Sequence, residues 1–297
     1  MSTPSASGVV VPEKTSLVGV LAGLVAVSAW GVSGVVAKHL DMGGLAIAAY
    51  RFLIYAVVVG SVLGVQRKGL SLRVMRATFV GGVALAADVA LFFSAVKLTA
   101  VANATVIGAL QPVVVGVVAW IWLGERVPRR DMFLGLMAFA GVVGVVILGG
   151  GQGEASLSGD LLAVGALVAW STYFVVAKRS MANVSSTEFT VGVALWVGLW
   201  NIPLAVMFGQ SLAWPTLENW LWLFGLALGA GIAGHAAMNW ALERVPLWLG
   251  SSLTLLVPVV STAAAWAFLG ETINGWQVLC MLVVLGALAV VVVRQTT

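Results

Sequence analysis

Ala29 to Lys38 reads AWGVSGVVAK, and Ala169 to Lys178 reads AWSTYFVVAK. Six of the ten positions are identical at a constant offset of 140. Both stretches sit inside long apolar runs, so the match is read as a duplicated helix. The duplication continues downstream. Leu123-Gly124-Glu125 returns as Leu269-Gly270-Glu271 at an offset of 146, and the same offset pairs Pro112 with Pro258, Trp120 with Trp266 and Ala95 with Ala241. The chain reads as two related halves.

Composition says what kind of halves. Of 297 residues, 61% are hydrophobic and only 9% charged, against about 25% charged in soluble domains. Too little polar surface is present to cover a soluble globule. The reading is an all-α membrane protein, because long apolar runs broken by short charged links suit helices and not a barrel. Ten stretches reach the length of a span: Leu17–Ala37, Leu45–Val65, Ala77–Val96, Ala100–Leu123, Met132–Leu148, Asp160–Ala177, Phe189–Phe208, Trp220–Leu242, Leu247–Leu269 and Gly275–Val293. The expected division is a polar tail at 1–16, a first five-helix repeat at 17–148, a linker at 149–159 and a second five-helix repeat at 160–293. The tail, with Glu13 and Lys14, has no apolar core and does not read as a signal peptide.

Charge sets the expected orientation. With the N-terminus inside, twelve Lys and Arg fall in inside segments and only Lys38 and Lys97 fall outside. The positive-inside rule then puts both termini in the cytoplasm. Five helices per half is an odd number, so the second half crosses in the opposite sense. Inverted repeats of this kind build many secondary transporters, with sites near the midplane between the repeats.

Ten spans, a five-helix duplication, Ala-Trp near the start of each half and Leu-Gly-Glu after the fourth helix of each half resemble the drug/metabolite transporter superfamily, EamA type. The resemblance runs from Leu17 to Val293. Within the superfamily the chain is similar to the bacterial aromatic amino-acid exporters of the YddG type. The resemblance implies a multi-pass carrier of the bacterial inner membrane that exports small metabolites, aromatic and other amino acids first among them. It implies alternating access around a cavity between the repeats. The partners implied are a small-molecule substrate and the lipid bilayer, with no nucleic acid. A carrier for drugs, nucleotide sugars or lipids is the alternative; Arg51, the only basic residue deep in a span, weighs against a polyanion.

Gly31-Val32-Ser33-Gly34 matches the GxSG pattern of intramembrane serine proteases, and His235 is a nominal base for Ser33. This intramembrane hydrolase is the competing reading. The second copy has Ser171-Thr172-Tyr173-Phe174 there instead, so the repeat preserves the helix and not a catalyst. Gly31, Ser33 and Gly34 are read as small residues for close packing. No catalytic residue, metal ligand or cofactor motif is assigned; the lone Cys280 lies in an apolar stretch.

The polar residues within spans are the candidates for a substrate site. Asp88 is expected to face a cavity, a partner or a proton, since a carboxylate at mid-bilayer costs about 2.5–3.5 kcal/mol. A proton at Asp88 is the coupling ion the sequence allows. His235 and Asn239, four apart, share a helix face. Trp30, Trp170 and Tyr173 lie deep in the duplicated first helices and would suit a flat apolar substrate. Asn103 is a further cavity candidate. Arg51 could snorkel outward or pair with a substrate carboxylate; snorkelling or a structural pair is the expected reading. Pro112 and Pro258 are read as kinks and gating hinges. Glu125 and Glu271 are read as structural, each able to cap the helix that follows it.

Overall fold

The computed structural model describes residues 15–65, 69–150 and 156–297. The expected N-terminal tail lies almost wholly outside them, as do Arg67, Lys68 and residues 151–155 of the expected linker. Ten helices long and apolar enough to span a membrane are present among the described residues, with no strand. They are α1 (Leu17–Ala37), α2 (Gly44–Val65), α3 (Leu72–Leu98), α4 (Val101–Leu123), α5 (Arg129–Leu148), α6 (Leu157–Ser180), α7 (Ser186–Met207), α8 (Leu217–Leu242), α9 (Leu247–Leu269) and α10 (Gly275–Thr296).

Hydrophobicity finds these helices, but caps fix where they begin. Ser71 accepts the Val74 N–H and starts α3 five residues before the apolar run, so Arg73 and Arg76 ride on a helical turn beyond the expected span. Ser156 starts α6, and Thr216 starts α8. Ser185 and Glu188 form a reciprocal capping box before α7, as do Asn274 and Gln277 before α10.

The helices pack mostly across the division between the halves. α3 lies on α6, and α1 lies on α8; α2 pairs with α7, α5 with α10, and α4 with α9. Neither half buries a core of its own. One end of the bundle, called here the terminal face, carries both ends of the described chain. There Arg294 reaches Asp131 at 3.0 Å, and the Ser16 N–H donates to the Arg244 carbonyl at 3.3 Å. At the opposite face, Gln210 Oε1 accepts the Leu45 and Ala46 N–H groups at the start of α2.

Both prolines expected to kink helices sit beside breaks. The helical hydrogen bonding of α4 is interrupted at Ala109–Leu110, just before Pro112, and that of α9 at Thr254–Leu255, just before Pro258. A proline has no N–H to give and crowds the carbonyl four residues back. The two breaks touch: Thr254 Oγ1 donates to Gln111 Oε1 at 2.8 Å. Both helices end in the same way, on Gly124 and Gly270 at φ 68°, the left-handed conformation that glycine adopts most readily.

Small residues set the helix spacing. A Cβ at Gly31 would stand 2.6 Å from Val260 Cβ on α9. Gly31→Val should therefore destabilise the protein by about 1–3 kcal/mol, the usual cost of overpacking, seen as a lowered midpoint of thermal unfolding in detergent. Gly135→Ala, where a Cβ meets nothing within 4 Å, should leave the midpoint unchanged or slightly raised.

Candidate substrate-binding site

Four duplicated or facing helices place an aromatic cage in the middle of the bundle. Trp30 from α1 meets Trp170 from α6 edge-on, with ring centroids 5.4 Å apart. Trp170 stacks on Tyr173 one turn further along α6, at 5.4 Å and 23°. His235 from α8 lies among them, 5.1 Å from Trp30 and 5.3 Å from Phe52 of α2. Tyr173 Oη donates to Asn239 Oδ1 at 2.9 Å, and Asn239 Nδ2 donates to Thr190 Oγ1 at 3.0 Å. This chain ties α6, α8 and α7 together and satisfies the Asn239 amide. Asn239 is thus a brace behind the cage.

The cage closes because α8 is irregular. Ala227–Ala236 is π-helical, with one extra residue per hydrogen-bonded turn. Trp30 Nε1 donates to the Ala230 carbonyl within it at 3.2 Å. Gly234 leaves room for the Trp30 ring; a Cβ there would stand 2.7 Å from Trp30 Cδ1. His235 is the next-to-last residue of this stretch, and its ring lies between Trp30 and Phe52.

Beside the cage Arg51, Phe52, Tyr55, Leu226, Ala227, Gly231 and His235 line a tight crevice, closed in this conformation to anything the size of a water molecule. Two buried polar atoms on this crevice, Arg51 Nε and His235 Nδ1, lack a hydrogen-bond partner among the described residues, while the Tyr55 hydroxyl there interacts with Thr190. The Arg51 guanidinium lies 4.8 Å from the Phe52 ring centroid. No ion pair within 4 Å joins it to Asp88 among the described residues.

The comparisons agree with this architecture. The EamA-like transporter family matches residues 17–147 and again 157–293. The chain belongs to the EamA-like transporter family. It is similar to the uncharacterized transporter YyaM of Bacillus subtilis, 27% identical over 252 residues that cover 81% of this chain and 82% of that protein. It is 34% identical over 178 residues to the aromatic amino acid exporter YddG of Ancylobacter novellus, covering 58% of this chain and 60% of that one. It is 27% identical over 164 residues to the threonine/homoserine exporter RhtA of Salmonella typhimurium, covering 53% and 52%. A crystal structure at 23% identity shares the fold, with a TM-score of 0.82 over 94% of this chain and 99% of that one. The EamA-like chain is a small-molecule transporter embedded as a multi-pass protein of the bacterial inner membrane.

Within this EamA-like fold, the residues singled out in the sequence separate into three groups. Trp30, Trp170, Tyr173, His235 and Asn239 come together. Asp88 is half-buried on α3, and no hydrogen bond or ion pair joins it to this group among the described residues. Asn103 lies elsewhere, near the opposite face, where its amide reaches Thr99 Oγ1 and Asp160 Oδ1. Arg51 corrects the expectation that it snorkels: it turns inward and lines the crevice. Ser33 Oγ donates to the Trp30 carbonyl of its own helix at 2.6 Å, with no described bond to His235. Glu125 also departs from expectation. It caps not the helix that follows it but α9, in the other half. Burial raises its carboxyl above the usual value; the Leu247 N–H, the Lys178 charge and the Trp248 N–H oppose that rise.

Phe52, Tyr55 and Thr190 carry no signal of their own in the sequence. Arg51, Phe52 and Tyr55 share a turn of α2, and the arginine is the one residue there that could have pointed to the other two.

The Tyr173–Asn239 brace makes a stability prediction. Tyr173→Phe leaves a buried amide oxygen unsatisfied and should cost about 1–3 kcal/mol. A double-mutant cycle with Asn239→Leu, read by thermal unfolding, should show that the two losses are not additive.

Proposed function

We propose that this transporter is a secondary exporter of amino acids, aromatic ones in particular, and that it works by alternating access between two inverted five-helix repeats. The observation that carries the reading is the convergence of Arg51 and His235 on one crevice beside the Trp30–Trp170 cage. A buried donor or acceptor without a partner costs about 1–3 kcal/mol, and more when charged. Such groups gathered at one place are what a polar ligand would complete.

The chemistry suits an α-amino acid. Arg51 offers a planar fork that matches a carboxylate. Asp88, half-buried on α3, is the acidic counterpart for an ammonium group or a coupling proton. Trp30, Trp170 and Phe52 offer flat apolar faces to a side chain. The paired packing of α1 on α8 and α3 on α6 supports the repeat relationship, and the site lies where the halves meet, as in other inverted-repeat carriers. The names of YddG and RhtA point to the same substrate class.

Uptake of labelled tryptophan, phenylalanine and threonine into proteoliposomes tests the reading. Saturable uptake favouring the aromatics is expected; no saturable uptake of any amino acid by folded protein removes the substrate class. Arg51→Gln should raise KM about 10- to 100-fold, the worth of a hydrogen bond to a charged group, while thermal stability holds or rises because a buried charge is gone. A stability loss with an unchanged KM would make Arg51 structural. Stimulation by a proton gradient, if present, should be lost in Asp88→Asn.

A further inference from the structure

The two faces of the bundle carry the same groups in two arrangements. On the terminal face, Glu125 at the end of α4 accepts the Leu247 N–H at 3.0 Å and the Trp248 N–H at 3.3 Å at the start of α9. Lys178 at the end of α6 donates to the Leu242 and Val245 carbonyls where α8 ends. Glu125 and Lys178 are each 4% exposed, and Leu247 is 0% exposed.

The duplication transposes this set to the opposite face. The 146 offset carries Glu125 to Glu271 and Leu247 to Val101, and it carries Leu242 and Val245 back to Val96 and Thr99; the 140 offset carries Lys178 to Lys38. There the groups are undocked. Glu271 and Lys38 pair with each other at 2.7 Å, with side chains 53% and 60% exposed. Val101 is 58% exposed at a helix start that no side chain caps. Helix-start N–H groups have no partner within their own helix, and a carboxylate is their natural acceptor.

On the terminal face Glu125 at the end of α4 seats on the start of α9. The 146 offset makes Glu271, at the end of α9, and Val101, at the start of α4, the counterparts of Glu125 and Leu247. The two helices touch midway, where Thr254 bonds Gln111 at their breaks. For two rods in contact at the middle, drawing one pair of ends together parts the other pair.

We propose that these groups form one latch in two copies, shut on the terminal face and released on the opposite face, and that transport exchanges them. Glu271 then seats on the Val101 and Ala102 N–H groups and Lys38 on the Val96 and Thr99 carbonyls, as Glu125 and Lys178 let go. This deepens the alternating-access reading and rests on it, but not on the substrate assigned above.

The test is cysteine labelling by a water-soluble maleimide in detergent. Cys280, the only cysteine, is first replaced by serine. Val101→Cys reports the opposite face, and Val245→Cys, close in size to the residue it replaces, reports the terminal face. With both glutamates present, Val101→Cys should label fast and Val245→Cys slowly. Glu125→Ala should raise the Val245→Cys rate about tenfold or more, since each hydrogen bond to a charged group is worth roughly that factor, and should slow Val101→Cys. Adding Glu271→Ala should restore the Val101→Cys rate. Should Glu125→Ala not fold, Glu125→Gln, which keeps one acceptor oxygen, should shift both rates in the same directions. Faster labelling of Val245→Cys without slower labelling of Val101→Cys, or no change at either, overturns the latch. The labelling needs no substrate, so it reports on the latch even where amino-acid uptake fails. Conversely, intact uptake with labelling that is not reciprocal removes the latch alone.

Discussion

A polar group inside a bilayer has no water to fall back on, and the arrangement of α1 to α10 follows from that constraint. Helices satisfy their own backbones, and most buried side chains satisfy one another. Asp131 takes Arg294 and Gln295; Asn239 takes Tyr173 and gives to Thr190. Lys178 directs its charge at two carbonyls at a helix end. Against this background, the unpartnered Arg51 Nε and His235 Nδ1 on one crevice stand out. They come from α2 and α8, one helix from each half.

The same constraint explains where the helices are irregular. Each interruption frees backbone groups that hydrocarbon cannot satisfy, so each must be buried in protein. The break in α4 meets the break in α9. The π-helical stretch of α8 gives a carbonyl to Trp30 and carries His235, whose ring lies in the cage. Irregular backbone thus lies against the aromatic cage and at the contact between α4 and α9.

Much of the architecture is legible in the chain, and the reasons are local. A span is announced by about 20 apolar residues, and the repeated AW and LGE mark equivalent turns that fold alike, down to the matching φ of Gly124 and Gly270. Trp30, Trp170 and Tyr173 are legible as a group because the duplicated helix fixes their shared depth. Arg51 reads as snorkelling because depth along a helix does not reveal which way a side chain turns. Asn103 is misplaced by its sequence for a similar reason: its position in a span hides the Asp160 that engages it from another helix. Glu125 reads as a cap for the helix that follows it in sequence, while its partner lies 122 residues away.

The sequence by itself determined that this is a ten-helix membrane protein with a duplicated, EamA-like pattern, because length, apolarity and repeated motifs are properties of short segments. Only the tertiary structure decided which polar residues face one another, since that depends on how helices rotate and pair across the two halves. It put Arg51 and His235 on one crevice and Glu125 on α9. It also made near-identical end groups buried on one face and exposed on the other. The glutamate and the lysine are the same in both copies, so their residue types do not announce the difference; it comes from what the packed helices bring to them.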